Sequence, residues 1–274
     1  MATEGLAAST TGVERISAAF ASARERDRAA LMPYMMGGFP DRDTADTVAE
    51  AYVESGADLI ELGVPFSDPL ADGPVIHAAA TSALASGTTL EGVLETCAAV
   101  SDRVPVVPMC YANMVLGHGL AQYAEMLASA GAAGTIIPDL PPEEAAGAQG
   151  ALRARGLALV PLVAPTTPPD RRRWICERAE GFVYVVSLRG VTGERPELPP
   201  ELGELVAAVR SDARVPAAVG FGIGTPEQAA SAGRIADGVI IGTRLVRAVE
   251  EASGAREAAA AVGDFMHEAR RAMG

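Results

Sequence analysis

An acidic residue inside an otherwise apolar run is the first chemical signal in the chain. In Leu59-Ile60-Glu61-Leu62-Gly63-Val64, Glu61 stands where a buried strand is expected, pointing inward. A carboxyl group taken out of water with no cation beside it has its pKa raised, and can give and take protons near neutral pH. An ion pair or hydrogen bond inside the fold is the structural alternative for Glu61. Asp72 follows eleven residues later, in a loop rich in Pro and Gly that also holds Ser67 and Asp68. Two carboxylates reaching one mouth can be held at different pKa values and act as an acid and a base. Asp before Gly is also an ordinary turn signal, so Asp72 alone stays open between the two roles.

Glycine supplies the second signal. Gly190-Val191-Thr192-Gly193, Gly220-Phe221-Gly222-Ile223-Gly224 and Gly242-Thr243 each follow an apolar run. Backbone N–H groups in such loops, together with a helix amino terminus, can hold a phosphate monoester without lysine. The run at Gly220 misses the dinucleotide fingerprint because Thr225 occupies the third glycine position, which favours phosphate over nicotinamide. His77, His118 and His267 are dispersed and no serine sits in a nucleophile elbow, so neither a metal site nor a serine hydrolase is expected.

Composition removes further classes. All 22 basic residues are arginine. Without a lysine amine the chain can form no Schiff base with a carbonyl substrate or with pyridoxal phosphate, and has no phosphate-loop lysine. The net charge of -13 repels polyanions, which excludes nucleic acid and an acidic membrane surface as partners. Cys97, Cys110 and Cys176 have neither zinc nor disulfide spacing and fit a reducing cytoplasm. Met1 to Thr11 does not read as a signal peptide, and no apolar run approaches the length of a membrane span. A soluble cytoplasmic protein is expected.

These residues need a scaffold. From Leu31 onward short runs of Val, Ile and Leu alternate with longer segments of helical period, the pattern of a parallel sheet buried on both faces. Strands are expected to begin near Leu31, Leu59, Val104, Thr135, Leu157, Phe182, Val215 and Gly238. Val48, Ala51, Tyr52 and Ser55 mark one helix ended by Gly56, and Leu120, Tyr123, Leu127 and Ala130 another ended by Gly131. Thr11 and Glu14 form a capping-box pattern ahead of Val13, Ile16, Phe20 and Ala23, which adds a helix before the first strand. Eight strand-helix units in a chain of 274 residues, with no linker, predict an α/β fold of one domain over 1–274, a closed eight-stranded (β/α)8 TIM barrel whose residues 1–11 are flexible. An open doubly wound sheet is the alternative. In a barrel the chemistry lies at the carboxyl ends of the strands.

Over essentially the whole length from Leu31 into the carboxyl-terminal helix, the sequence resembles the tryptophan synthase alpha chain family. Glu61 to Pro74 is similar to that family's long and specific signature, and Pro138-Asp139-Leu140-Pro141, Gly190 to Gly193 and Gly220-Phe221-Gly222 are similar to its other landmarks. The resemblance implies retro-aldol cleavage of indole-3-glycerol phosphate to indole and glyceraldehyde 3-phosphate. It implies Glu61 as the acid/base that protonates C3 of the indole ring and Asp72 as the carboxylate on the ring N–H. Tyr34, Met109, Tyr111, Tyr184, Thr192 and Phe221 match substrate-binding positions, with Gly193, Gly222, Gly242 and Thr243 around the phosphate. It further implies no cofactor or metal in this chain. The implied partner is a beta chain carrying pyridoxal phosphate, joined in a heterotetramer through the loops at Ser67 to Pro69 and Gly190 to Pro196.

Four positions depart from the family pattern. Arg189 replaces a small polar residue, Gly224 and Thr243 stand where serine is usual, and His77 stands where glutamine is frequent. Thr243 keeps a hydroxyl and Arg189 adds a possible bidentate phosphate donor, so altered affinity is expected rather than lost activity. A stand-alone lyase releasing free indole, a non-catalytic activating subunit and a sugar-phosphate isomerase on the same barrel are the competing functions.

Overall fold

A computed structural model of the chain describes residues 10–186, 201–220 and 222–274. Residues 1–9, Ser187 to Pro200 and Phe221 lie outside it, and with them the expected roles of Arg189, Thr192, Gly193 and Phe221.

Helix α1 (Gly12–Glu25) leads into β1 (Ala30–Met36), α2 (Arg42–Glu54), β2 (Ile60–Gly63), α3 (Pro74–Ala85) and α4 (Leu90–Val100). Then come β3 (Val106–Met109), α5 (Ala112–His118), α6 (Leu120–Ser129), β4 (Gly134–Ile136) and α7 (Ala146–Arg153). The second half runs β5 (Ala158–Val160), β6 (Leu162–Val163), α8 (Pro169–Cys176), β7 (Val183–Val186), α9 (Glu201–Asp212), β8 (Ala217–Gly220), α10 (Pro226–Gly233), β9 (Gly238–Ile241), α11 (Thr243–Glu251) and α12 (Ala255–Met273). Every pair of neighbouring strands is parallel, in the order β5-β4-β3-β2-β1-β9-β8-β7-β6.

The two ends of that order are one stretch of chain. Only Pro161 separates β5 from β6, so the sheet closes into a barrel. Eight strands were expected, and the described residues form nine because a proline has no N–H to donate and interrupts the fifth ladder. The Pro161 carbonyl still accepts from the Tyr184 N–H at 2.9 Å, which carries the pairing across the break. All seven residues of β1 and all four of β2 are buried, as continuous apolarity requires of strands covered on both faces. The helix stops also hold: Gly56 and Gly131 adopt φ of 78° and 69°, in the left-handed region open to glycine.

The capping box at Thr11 and Glu14 forms, and α1 turns Ile16, Phe20 and Ala23 into the barrel floor. Phe20 lies 5.7 Å from Phe182, which lies 6.5 Å from Tyr184, so packed aromatic rings run from the floor toward the mouth. Arg28 and Asp58 form a two-bonded ion pair at 2.5 and 2.8 Å, with side chains only 2% and 8% exposed. Asp58 also accepts from the Leu31 N–H at 2.8 Å and returns its own N–H to the Leu31 carbonyl at 2.9 Å. This joins β1 to β2 at their buried start. Three residues further along each strand, Tyr34 stands opposite Glu61. Among the described residues, no helix is long and apolar enough to cross a membrane.

Candidate active site

Glu61 sits in the middle of β2, paired in register with Tyr34 on one side and Val107 on the other. Strand alternation sends Glu61 and Gly63 to the barrel interior, while Ile60 and Leu62 join the outer layer. Glu61 is 2% exposed, and its Oε2 has no hydrogen-bond partner. Burial, and secondarily the negative charge of Asp72, push its carboxyl group up to about 8. The ion pair that could have explained this residue structurally is absent from the salt bridges of the described residues.

Asp72 precedes Gly73, the N-cap of α3, so the turn and the site are two properties of one position. Burial raises its pKa, and the Tyr111 hydroxyl and the nearby His77 oppose that rise. Tyr111 holds both ends of the intervening loop. Its ring stacks on Phe66 at 5.0 Å, and its hydroxyl accepts from the Ala71 N–H at 3.2 Å, beside the Asp72 carboxyl group whose pKa it holds down. Asp139, in the Pro138 to Pro141 landmark, accepts from the Ala112 N–H at 2.8 Å and fixes the start of α5 beside Tyr111. Removing only the hydroxyl, Tyr111→Phe, is expected to lower kcat/KM by about 3- to 10-fold, the value of one or two hydrogen bonds. Asp72 should then titrate at higher pH, moving the acidic limb of a pH-rate profile upward with it. An unchanged limb would remove Tyr111 as a positioning residue.

Tyr34, Glu61, Asp72, Met109, Tyr184, Gly222, Gly242 and Thr243 line one cavity at the carboxyl ends of the strands. Tyr111 stands behind Asp72 and outside that lining. Ile76, Ile223 and Ile240 complete the walls, and sequence reasoning missed them because an isoleucine at a helix start or near a strand end reads as core. Two glycines make the cavity possible. A Cβ at Gly63 would fall 2.2 Å from the Tyr34 hydroxyl, and one at Gly220 would fall 2.2 Å from the Tyr184 hydroxyl. Gly220, expected in the phosphate loop, instead lies within β8 and makes room for Tyr184.

The anion end of the cavity is narrower than the glycine runs suggest. At α10 the Thr225 side chain caps Gln228, and Gln228 Oε1 accepts from the Gly224 and Thr225 N–H groups at 2.7 and 3.1 Å. Those amides are already used. At α11 the N-cap Gly242 has no side-chain cap, and the first turn of a helix leaves N–H groups for an outside acceptor. Gly242 and Thr243 are therefore the described residues best placed for a phosphate.

A larger hollow, about 330 Å³, lies between α7 and α8 against Leu140, Leu159, Leu162 and Trp174. Its charged groups are engaged elsewhere: Glu143 pairs with Arg171 at 2.8 Å, and Arg178 lies 4.8 Å over the Trp174 ring. The smaller cavity holds the two carboxyl groups with raised pKa values, and chemistry outweighs size in choosing between them.

Comparison with known proteins gives the family of the chain. The profile of the family described as tryptophan synthase alpha chain matches residues 20–273. The tryptophan synthase alpha chain of Roseiflexus sp. (strain RS-1) is 48% identical over 94% of this chain and all of its own length. That of Methanosarcina acetivorans is 45% identical over 94% of each chain. Among solved structures, a Mycobacterium tuberculosis tryptophan synthase chain superposes with a TM-score of 0.87 at 38% identity, covering 94% of this chain and 98% of its own. The tryptophan synthase alpha subunit of Legionella pneumophila gives 0.85 at 35% identity, over 94% and 98%.

Proposed function

The chain belongs to the tryptophan synthase alpha chain family, with its indole-3-glycerol phosphate lyase activity, and from that premise we propose how its residues divide the work. The protonated Glu61 carboxyl group gives its proton to C3 of the indole ring. Positive charge then develops on the ring nitrogen, where the Asp72 carboxylate accepts the N–H. The bond between C3 and the first chain carbon breaks, its electrons return to the ring, and the hydroxyl on that carbon becomes the aldehyde oxygen. Its proton returns to Glu61, so the carboxyl group ends as it began. The ring is the electron sink, which suits a chain without lysine. Gly242 and Thr243 hold the phosphate at the start of α11.

One observation supports this division most: a fully buried carboxyl group with an unpartnered oxygen, facing a cavity that also holds Asp72 and the open end of α11. We further propose that a pyridoxal phosphate beta chain is the partner in a heterotetramer, and that the pair works in the cytoplasm. Indole release from indole-3-glycerol phosphate, with and without a beta chain, tests the proposal. No release in either case would end it.

The pH dependence follows from the two carboxyl groups. Glu61 must be protonated, so kcat/KM should fall as pH rises through about 8. Asp72 must be ionised, so the acidic limb should lie above the ordinary aspartate range, because burial raises its pKa. A profile flat between pH 6 and 9 would contradict the assignment.

A further inference from the structure

We propose that the Tyr34 hydroxyl is the specificity-determining group for the three-carbon chain of the substrate, hydrogen-bonding a chain hydroxyl between the phosphate and the ring. This rests on the lyase function above and deepens it. Tyr34 is 7% exposed and lines the cavity, yet its hydroxyl has no hydrogen-bond partner among the described residues. Only its backbone carbonyl is engaged, by the Tyr52 hydroxyl at 3.1 Å. The hydroxyl is not among the sealed polar atoms that lack a partner, so it stays reachable from the cavity, where a ligand can complete its hydrogen bonding.

The position of the ring selects the ligand atom. At its base, the Cβ, Cγ and Cδ1 of Tyr34 lie 3.6 to 3.8 Å from where a side chain on Gly242 would begin. At its tip, the hydroxyl rests over Gly63, two residues beyond Glu61 on β2. The ring thus spans the interval from the phosphate-binding end to the proton donor. Whatever links a phosphate at Gly242 to an indole C3 at Glu61 must cross Tyr34. In indole-3-glycerol phosphate, that link is the carbon chain and its two hydroxyl groups. The phenol stays protonated, since burial and the neighbouring carboxyl groups raise its pKa, so it is available as a donor.

Tyr34→Phe tests this with two ligands: indole-3-glycerol phosphate, and indole-3-propanol phosphate, which has the same ring and phosphate but no chain hydroxyl. The variant should lose about tenfold in kcat/KM for the first while its inhibition by the second changes less than twofold. Its melting temperature should stay within a degree or two of the parent, because no protein hydrogen bond is lost. Gly63→Ala, whose added methyl would press on the hydroxyl, should give the same selective loss if Tyr34→Phe proves unstable. Equal losses for both ligands would make Tyr34 a packing residue, and no loss for either would leave its hydroxyl without a substrate role. Either result overturns the inference. Failure of the parent protein to cleave indole-3-glycerol phosphate would instead overturn the function on which it rests.

Discussion

Replacing Glu61 by Gln is expected to lower kcat for indole-3-glycerol phosphate cleavage by about 10²- to 10⁴-fold, the range for loss of a positioned general acid. Glutamine fills the same space and cannot hand over a proton, so KM should move far less than kcat. The same substitution should stabilise the protein. A carboxyl group whose folded pKa is raised to about 8 favours the native state fully below its unfolded pKa, and that contribution is lost as pH rises through about 8. Above neutral pH, the uncharged glutamine escapes this penalty, with a net gain of roughly 1–3 kcal/mol after the cost of burying an amide. Urea denaturation at pH 6 and pH 8.5 would show the difference widening with pH. Unimpaired cleavage by Glu61→Gln would remove Glu61 as the acid.

Breaking the ion pair under the site gives the largest expected loss of stability. Arg28→Met leaves Asp58 buried and uncompensated, which should cost about 3–5 kcal/mol, read as a lowered urea midpoint. The double variant Arg28→Met/Asp58→Leu should recover part of this. Recovery stays incomplete because the Leu31 N–H loses its acceptor on Asp58. The pair also sets register: it joins Leu31 to Asp58, and the same alignment brings Tyr34 opposite Glu61. A loss below 1 kcal/mol would contradict the importance given to this contact.

Much of the barrel was legible in the sequence because its signals are local. The eight expected strand starts fall within two residues of observed ones, since a run of Val, Ile and Leu bounded by polar residues marks a strand without reference to its neighbours. Pro161 was the exception, where one missing N–H splits a strand that the apolar pattern treats as continuous. Glu61 stood out because a lone acid in an apolar strand has few explanations.

The site beyond Glu61 depends on which strands lie side by side, and composition does not carry that information. Gly220 followed an apolar run and read as a phosphate loop, but the Tyr184 ring from the adjacent strand occupies the space beside it. Gly224 looked available to an anion until Gln228, four residues on, took its N–H. The family resemblance placed Tyr34 and Tyr111 near the substrate. Only coordinates distinguish Tyr111, which grips the Asp72 loop, from Tyr34, whose hydroxyl faces the cavity unpaired.

Carbon-13 NMR of the Glu61 carboxyl carbon, assigned by its disappearance in Glu61→Gln, measures the central claim without any substrate. The resonance should report a protonated carboxyl group at pH 7 and titrate with a midpoint near 8. A midpoint near the ordinary glutamate value of about 4.3 would mean a hydrated, ionised side chain, which could not serve as the acid at neutral pH.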